Sequence, residues 1–453
     1  MGRGEPRLPV AAARAEEPCL SDVPHFVLLE RQVEEEFRPV MLEALQRKVE
    51  TFAESNQKRP VCSCNKLMTN KGARDVSWLC RFGRIEVSAV RFECKKCKRY
   101  NRPLLQALGV EVGRVCGSLA RLLAVLGTVV PYQLAAELAA VLLGVRVNAM
   151  TVWRAVQRLG GATKRYNDAM SHYYADSRSE TVEKADAPQA IVLGVDGCML
   201  GMQVRKHRRH RKSKQENLPP LPPVPDDRFH EVKTGLLLLP SERLETSPGR
   251  RSVLRRVLVT CLGDADELFN HLWAQMQTLG WLGKRTMIVI VGDGADWIWN
   301  RASWFKNRCE ILDFWHAIER AWEFARLWHG DGSRKTARWI HQISTDLRAG
   351  KVKKVLIRLK KISPATREIK EKLNSLIGYY TNNAGRMHYD HYLQMGYGIG
   401  SGAVESAHKQ VVHARFRQAG MRWSEAGAQK LLALRLLLLN RQWDQLYHLR
   451  MAA

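Results

Sequence analysis

Three carboxylates in this sequence stand beside glycines where apolar, strand-like runs give way to turns. They are Asp196 in IVLGVDGCML, Asp293 in TMIVIVGDG and Glu405 in GYGIGSGAVESAHK. They are 293 − 196 = 97 and 405 − 293 = 112 residues apart, so only tertiary folding can bring them together. Acids gathered without cationic partners repel one another and are costly unless metal sits among them. Oxygen donors suit a hard cation, Mg²⁺ or Mn²⁺ in its place. Two such ions about 3.5–4 Å apart can activate a hydroxyl nucleophile and stabilise the leaving oxygen of a phosphodiester. Taken singly, each acid has an ordinary explanation: Asp-Gly is most often a turn, and Glu405 can serve a helix start. Asp196 is the hardest to explain that way, because an unpaired carboxylate inside an apolar strand costs on the order of several kcal/mol. Gly194, Gly197, Gly292, Gly294, Gly400 and Gly402 are expected to let a phosphate backbone come close. Asp264, Asp266, Glu267 and Asp313 are rival acids, but the first three open a helix, where acids are expected anyway. Asp313 and His316 are expected beside the site in a supporting role.

A second group is made of thiols. Five of the ten cysteines, Cys62, Cys64, Cys80, Cys94 and Cys97, fall within 36 residues. Between the outer pairs, VSWLCRFGRIEVSAVRFEC alternates apolar and polar residues around a break at Gly83, the pattern of a β-hairpin. Two cysteine pairs flanking a hairpin follow the plan of a zinc ribbon, in which thiolates converge on a tetrahedron. Cys94-Lys-Lys-Cys97 has the favoured spacing, whereas Cys62-Ser-Cys64 is one residue short, so Cys80 can stand in for one of them. The expected structural zinc is held by Cys62, Cys64, Cys94 and Cys97, with Cys80 as the substitute. The alternative is a ribbon that has lost its metal, or a set of buried thiols.

The elements that would position these groups follow from periodicity. VPYQLAAELAAVLLGVRVNAMTVWRAVQRLG reads as a helix, a short break and a second helix carrying Arg154, Arg158 and Lys164. That arrangement suits a helix-turn-helix DNA reader as well as it suits a plain helical hairpin. After a polar linker, the order becomes strand (Asp196), strand (HEVKTGLLLLP), strand (VLVTCLG), helix, buried strand ending at Asp293, helix, and a short strand ending near Asp313. A helical stretch follows, then the helix of Glu405. The first three strands can pair antiparallel, while the strand–helix–strand units demand parallel neighbours. A mixed sheet of this order is a ribonuclease-H-like fold, with one acid mid-strand, one at a strand end and one on a late helix. The fold class expected is thus multidomain α+β. The expected domains are 1–57 (helical and basic), 58–105 (zinc ribbon), 106–175 (helix-turn-helix-like), 186–330 (first part of the core), 331–394 (helical insertion) and 395–445 (last core helices). Trp297, Trp299, Trp304, Trp315, Trp322 and Trp328 are expected to be core for the most part, with one or two free to stack on an unpaired base.

Net charge narrows the partner. With 72 Lys+Arg against 45 Asp+Glu the chain carries +27, which points to a polyanion, most simply nucleic acid. The run RKHRRHRKSK supplies Arg205, Lys206, Arg208, Arg209, Arg211 and Lys212, and with Arg154 and Arg158 these are the candidate DNA contacts. The same run is otherwise a solvated loop. Neither the N-terminal stretch nor any internal apolar run has the form of a signal peptide or a membrane span, so a reducing cytoplasmic setting is expected.

The segments GDGADWIWN, ILDFWHAIER, YGIGSGAVESAHK and GMRWSEAGAQKLLALR resemble the DDE transposases of the Kra family of bacterial insertion sequences, within the Mutator-like assemblage. The resemblance runs from about residue 60 to 445 and is most specific in the three C-terminal blocks. It implies a catalytic triad of Asp196, Asp293 and Glu405 holding two Mg²⁺ ions. It identifies Asp313 and His316 with the family's Asp-x-x-His element, and residues 317–394 with its all-helical insertion. It implies transposon-end and target DNA as partners, a homodimer or larger assembly at synapsis, and a nucleoid-associated place in a bacterial cytoplasm. The chain departs from the family in its Cys-x-Cys knuckle and in its long basic loop at 205–230. Two other classes share much of this pattern: a transposase-derived DNA-binding protein without catalysis, and a metal-dependent nuclease that cuts without joining. The intact triad speaks against the first.

Overall fold

The computed structural model describes residues 25–110, 114–176, 186–203, 228–247, 250–253 and 255–448. The candidate DNA contacts Arg205, Lys206, Arg208, Arg209, Arg211 and Lys212 lie outside the described residues. The chain divides into two units, 1–120 with 139–146, and 121–138 with 147–453.

The first unit pairs a long helix α1 (His25–Ser55) with a hairpin of β1 (Thr69–Leu79) and β2 (Arg84–Glu93), to which β3 (Tyr100–Asn101) adds a short third strand. Period-two alternation puts Val76, Trp78 and Cys80 of one arm and Ile85, Val87 and Ala89 of the other on one face. That face is buried together with Val49 and Ala53 of α1 and with Leu104 and Leu105 of α2 (Pro103–Leu108). The expected hairpin is therefore present, turning at Cys80–Gly83.

The next helices are α3 (Gly117–Val129), α4 (Tyr132–Leu143) and α5 (Ala149–Asp176). The helix, break and second helix fall where periodicity predicts, but α5 runs for 28 residues. Its face of Val152, Ala155, Val156, Leu159 and Ala162 is buried. At Gly160 a Cβ would lie 2.2 Å from the Lys430 carbonyl oxygen. One face of α5 is thus a packing face. Arg154 on it is exposed and Arg158 half-buried, while Lys164 is bonded to Asp168 at 2.8 and 3.0 Å.

The second unit is built on a five-stranded mixed sheet. Its strands are β4 (Ala190–Gly201), β5 (Phe229–Leu238), β8 (Arg256–Cys261), β9 (Met287–Gly292) and β10 (Arg308–Leu312), in the order β10-β9-β4-β5-β8. A separate ribbon of β6 (Arg243–Ser247) and β7 (Arg250–Val253), without a clear periodic signal in the sequence, is inserted between β5 and β8. Strands β4, β5 and β8 pair antiparallel, and β9 and β10 run parallel to β4 on its other side. The connections to the parallel strands pass through α6 (Ala265–Thr278) and α7 (Asp296–Ala302). Asp264 caps α6 as expected, its side chain accepting from Glu267 N at 2.8 Å.

Helices α8 (Phe314–His329), α9 (Arg334–Arg348), α10 (Val352–Lys360), α11 (Arg367–Asn383) and α12 (Tyr389–Gln394) form the predicted helical stretch. The chain returns through α13 (Gly402–His408), a π-turn at Lys409–His413 and α14 (Ala414–Phe416), then α15 (Glu425–Leu439). The apolar α15 is buried over most of its length, Arg435 included. That guanidinium donates to the carbonyls of Val411 at 2.8 Å and Thr128 at 2.6 Å, so its burial is compensated by backbone acceptors. Among the described residues no helix is long and apolar enough to cross a membrane.

Candidate active site

Sheet register explains how residues far apart in sequence come level. The last β4–β9 pair is Gly194 with Val291, and the last β9–β10 pair is Gly292 with Leu312. Asp196 lies two residues beyond Gly194, Asp293 two beyond Val291, and Asp313 one beyond Leu312. The three aspartates therefore lie at one height at the C-terminal ends of neighbouring parallel strands. Strand β4 stays paired with β5 through Asp196–Thr234 and on to Gly201–Phe229, while β9 ends. The sheet splits at this point, so beyond Gly194 strand β4 keeps β5 and loses β9 as a partner. Glu405 arrives from a helix: Val404 packs 3.4 Å from where a Cβ on Gly194 would lie, setting α13 against β4.

Asp196 is 20% exposed and accepts from Gly197 N at 2.7 Å through Oδ1. Burial pushes its carboxyl up to about 6, and the charges of Asp293 and Glu405 push in the same direction. Asp293 is half-buried, folded into a turn in which Oδ1 accepts from Ala295 N at 3.0 Å. Glu405 is exposed, with Ser401 Oγ 3.4 Å from Oε1. Among the described residues no Lys or Arg forms an ion pair with Asp196, Asp293 or Glu405. Their carboxylate oxygens do not converge within 4.8 Å, as a single-ion cage would require.

Asp313 is fully buried and holds the site together. Its Oδ1 caps α8 by accepting from His316 N at 2.9 Å, its N–H donates to Gly292 O at 2.7 Å, and Oδ2 accepts from Ser401 N. One carboxylate thus joins the end of β9, the start of α8 and the turn that leads to Glu405. Burial pushes this carboxyl up, but His316 and Ser401 outweigh it and hold it below the usual range. The His316 ring lies 3.6 Å from Asp313, Nδ1 to Oδ1, beyond hydrogen-bond length. That carboxylate, with Asp293 and Asp196 nearby, holds the imidazole up at about 9 despite burial.

Three residues beside the acids were not singled out by the sequence. Tyr379 of α11 donates to the Asp293 carbonyl at 2.7 Å and packs on Gly294, whose φ of +100° strongly favours glycine. His408 is buried, with Nδ1 3.8 Å from Asp196 Oδ2, and burial holds its pKa below the usual histidine value. Glu231 of β5 sits where a Cβ on Gly197 would lie only 2.1 Å from its Oε1. His408 is three residues after Glu405 on one helix, a spacing that could have flagged it. The other two carry no local signal. The glycines also do other work than expected: Gly194 makes room for Val404, Gly197 for Glu231 and Gly400 for Trp315. The rival acids at the start of α6 are engaged elsewhere, Asp266 with Arg301 at 2.8 Å and Glu267 in a cluster with Lys164, Asp168 and His271, whereas Asp313 lies at the site itself. Of the tryptophans, Trp299 is buried and Trp315, next to His316, is 59% exposed.

The thiol site forms from two similar knuckles. Cys62 N donates to Lys66 O and Cys94 N to Arg99 O, both at 2.9 Å. In each knuckle the residue after the second cysteine, Asn65 or Lys98, is left-handed (φ 59° and 56°). The shorter Cys-x-Cys turn therefore closes in the same way as Cys-x-x-Cys. The Sγ atoms of Cys62, Cys64, Cys94 and Cys97 all lie within 4.8 Å of one another. The pairs Cys62–Cys97 and Cys64–Cys94 are 3.4 and 3.5 Å apart, against about 3.8 Å for the edge of a ZnS₄ tetrahedron. The four cysteines fit zinc. Cys80 does not join them: it is buried against Val76 and Trp78 on the hairpin's other packed face.

No protein-family description matches this sequence, and no curated protein matches it. Among solved structures the chain is similar to the "Drosophila P element transposase strand transfer complex", with 12% identity over 76% of this chain and 82% of that one and a TM-score of 0.25.

Proposed function

We propose that this chain is a DDE-type DNA transposase that cuts phosphodiester bonds at transposon ends and transfers the freed strand to target DNA. The observation that carries the reading is the level placement of Asp196 and Asp293 on neighbouring strand ends, with Glu405 close enough to act on Asp196 electrostatically. The strand order, three antiparallel strands followed by two parallel to the first on its far side, supports a ribonuclease-H-like core. Asp196, Asp293 and Glu405 fit Mg²⁺ by donor chemistry: they are hard oxygens without an Arg or Lys ion-pair partner among the described residues. A donor set spread wider than one ion's cage is consistent with a pair of ions. Bound there, Mg²⁺ supplies Lewis acidity for the nucleophile and the leaving oxygen. Asp313 fixes the turns that carry Asp293 and Glu405. Protonated His316 adds a positive charge beside the carboxylates at neutral pH. The Cys₄ ribbon serves as a structural zinc module.

The motif resemblance to Kra-family enzymes supports joining as well as cutting, and with it a synaptic dimer or larger assembly working on bacterial DNA. The test is cleavage and strand transfer on end-containing DNA with Mg²⁺, beside DNA binding by the same proteins. Asp293→Asn and Glu405→Gln are expected to lose roughly a thousandfold or more in rate, about 4 kcal/mol of barrier, and to bind DNA normally. Asp264→Asn, which only weakens a helix cap, is expected to cut at a near-normal rate. A triad variant that cuts normally overturns the site. Cutting without joining by the unaltered protein would favour the nuclease reading.

A further inference from the structure

Charge in the helical stretch after His316 is unevenly distributed. From Arg334 to Lys361 there are ten Lys and Arg residues and one acid, Asp346. That acid is 9% exposed and is already neutralised, by Lys354 Nζ at 3.1 Å and Arg358 Nη2 at 2.8 Å. Nothing anionic from this segment reaches the surface of the α9–α10 hairpin. Arg334, Lys335, Arg338, Lys353, Lys360 and Lys361 are exposed and make no ion pair with a described residue. The neighbouring helix α11 behaves differently: Arg367 pairs with Glu371 at 2.7 Å, and Lys372 is paired with Glu323. The excess is densest in α9 and α10, although Lys370 of α11 is also exposed and makes no ion pair with a described residue.

Helix α10 shows how it is arranged. Val352, Val355 and Leu359 form the buried row. Lys354, Arg358 and Lys361 form a second row, the first two of them reaching toward α9. Lys353, Ile357 and Lys360 form an outer row, all exposed. Lys353 and Lys360 are separated by roughly 10 Å along the axis at 1.5 Å per residue. The segment itself supplies only Asp346, and Asp390 of α12 lies against Gly350 at the turn between the two helices; the remaining like charges store repulsion that a polyanion relieves.

We propose that the α9–α10 hairpin is a binding surface for the phosphate backbone of DNA, read without regard to sequence. This rests on the reading of the chain as a DNA-processing enzyme and adds a contact surface that reading does not contain. The placement suits the chemistry, because α10 packs on α11, and α11 carries the Tyr379 that holds the Asp293 turn. DNA gripped here is held by the same helical layer that fixes one of the carboxylates.

The experiment measures binding of the full-length protein to a short random-sequence duplex by fluorescence anisotropy, from about 0.1 to 0.4 M salt. Each phosphate neutralised contributes about 0.9 to the slope of log affinity against log salt. Lys353→Gln/Lys360→Gln is expected to flatten that slope by about 1.8 and to weaken binding by on the order of tenfold near physiological salt. Lys353→Arg/Lys360→Arg should keep the slope, and so should Lys284→Gln/Lys306→Gln, a matched loss of charge at exposed positions elsewhere. Equal melting temperatures establish that the variants are folded, and single substitutions at Lys353 or Lys361 serve if the double is not. A slope in the α10 double equal to that of the unaltered protein overturns this surface while leaving the enzyme reading intact. Absence of salt-dependent DNA binding by the unaltered protein overturns both.

Discussion

Replacing Asp196 by Asn should make the protein more stable and inactive at once. The carboxyl is pushed from 3.8 to about 6, roughly two units, and at 1.36 kcal/mol per unit its ionised form costs about 3 kcal/mol in the folded state. The sign follows from linkage. Between pH 4 and 6 the folded state binds the proton that the unfolded state has released, so stability is full below about pH 4 and is lost as pH rises through 6. Asn carries no charge and keeps an oxygen to accept from Gly197 N, 2.7 Å away in the native protein. In EDTA at pH 7.5, Asp196→Asn should therefore gain up to about 3 kcal/mol, and at pH 5 about half of that. Thermal melting should resolve this as a shift of several degrees at pH 7.5 that shrinks at pH 5. Adding Mg²⁺ should raise the melting temperature of the native protein far more than that of the variant, because a ligand that binds only the folded state stabilises it. The same variant should be silent in DNA cleavage. A variant that melts lower than the native protein in EDTA at pH 7.5, or by an amount that does not change with pH, would refute the claim that Asp196 is held charged against its surroundings for metal.

Purified protein should contain about one zinc per chain. Cys64→Ser or Cys94→Ser should lose it and unfold the ribbon, whereas Cys80→Ser should keep the metal and cost only packing; elemental analysis after dialysis decides this. Changing the basic residues of 205–214 to Ser or Gln should flatten the salt dependence of DNA binding by several units and leave the preference for transposon ends intact; an unchanged slope would make the loop a solvated surface.

Much of this protein is fixed by local pattern and could be read without coordinates. The alternation on either side of Gly83 dictates a hairpin because side chains in a strand take opposite faces in turn. The apolar run MIVIVG dictates a buried strand, and Asp264 before ADELF dictates a helix start. The mid-strand position of Asp196 marks it because burial raises the cost of a charge there. Tertiary structure decided everything that depends on register and on long-range approach. The level placement of Asp196, Asp293 and Asp313 comes from pairings at Gly194–Val291 and Gly292–Leu312, and no one-dimensional pattern encodes which residue of one strand faces which of another. The choice among five cysteines was likewise made by the fold, since two left-handed turns aim four thiols at one point while the hairpin's pleat turns Cys80 into the opposite core. Tyr379 and Glu231 were invisible in the sequence, because a phenol that reaches a backbone carbonyl 86 residues away and a carboxylate that uses the space left by a glycine on the next strand owe their roles entirely to where folding puts them.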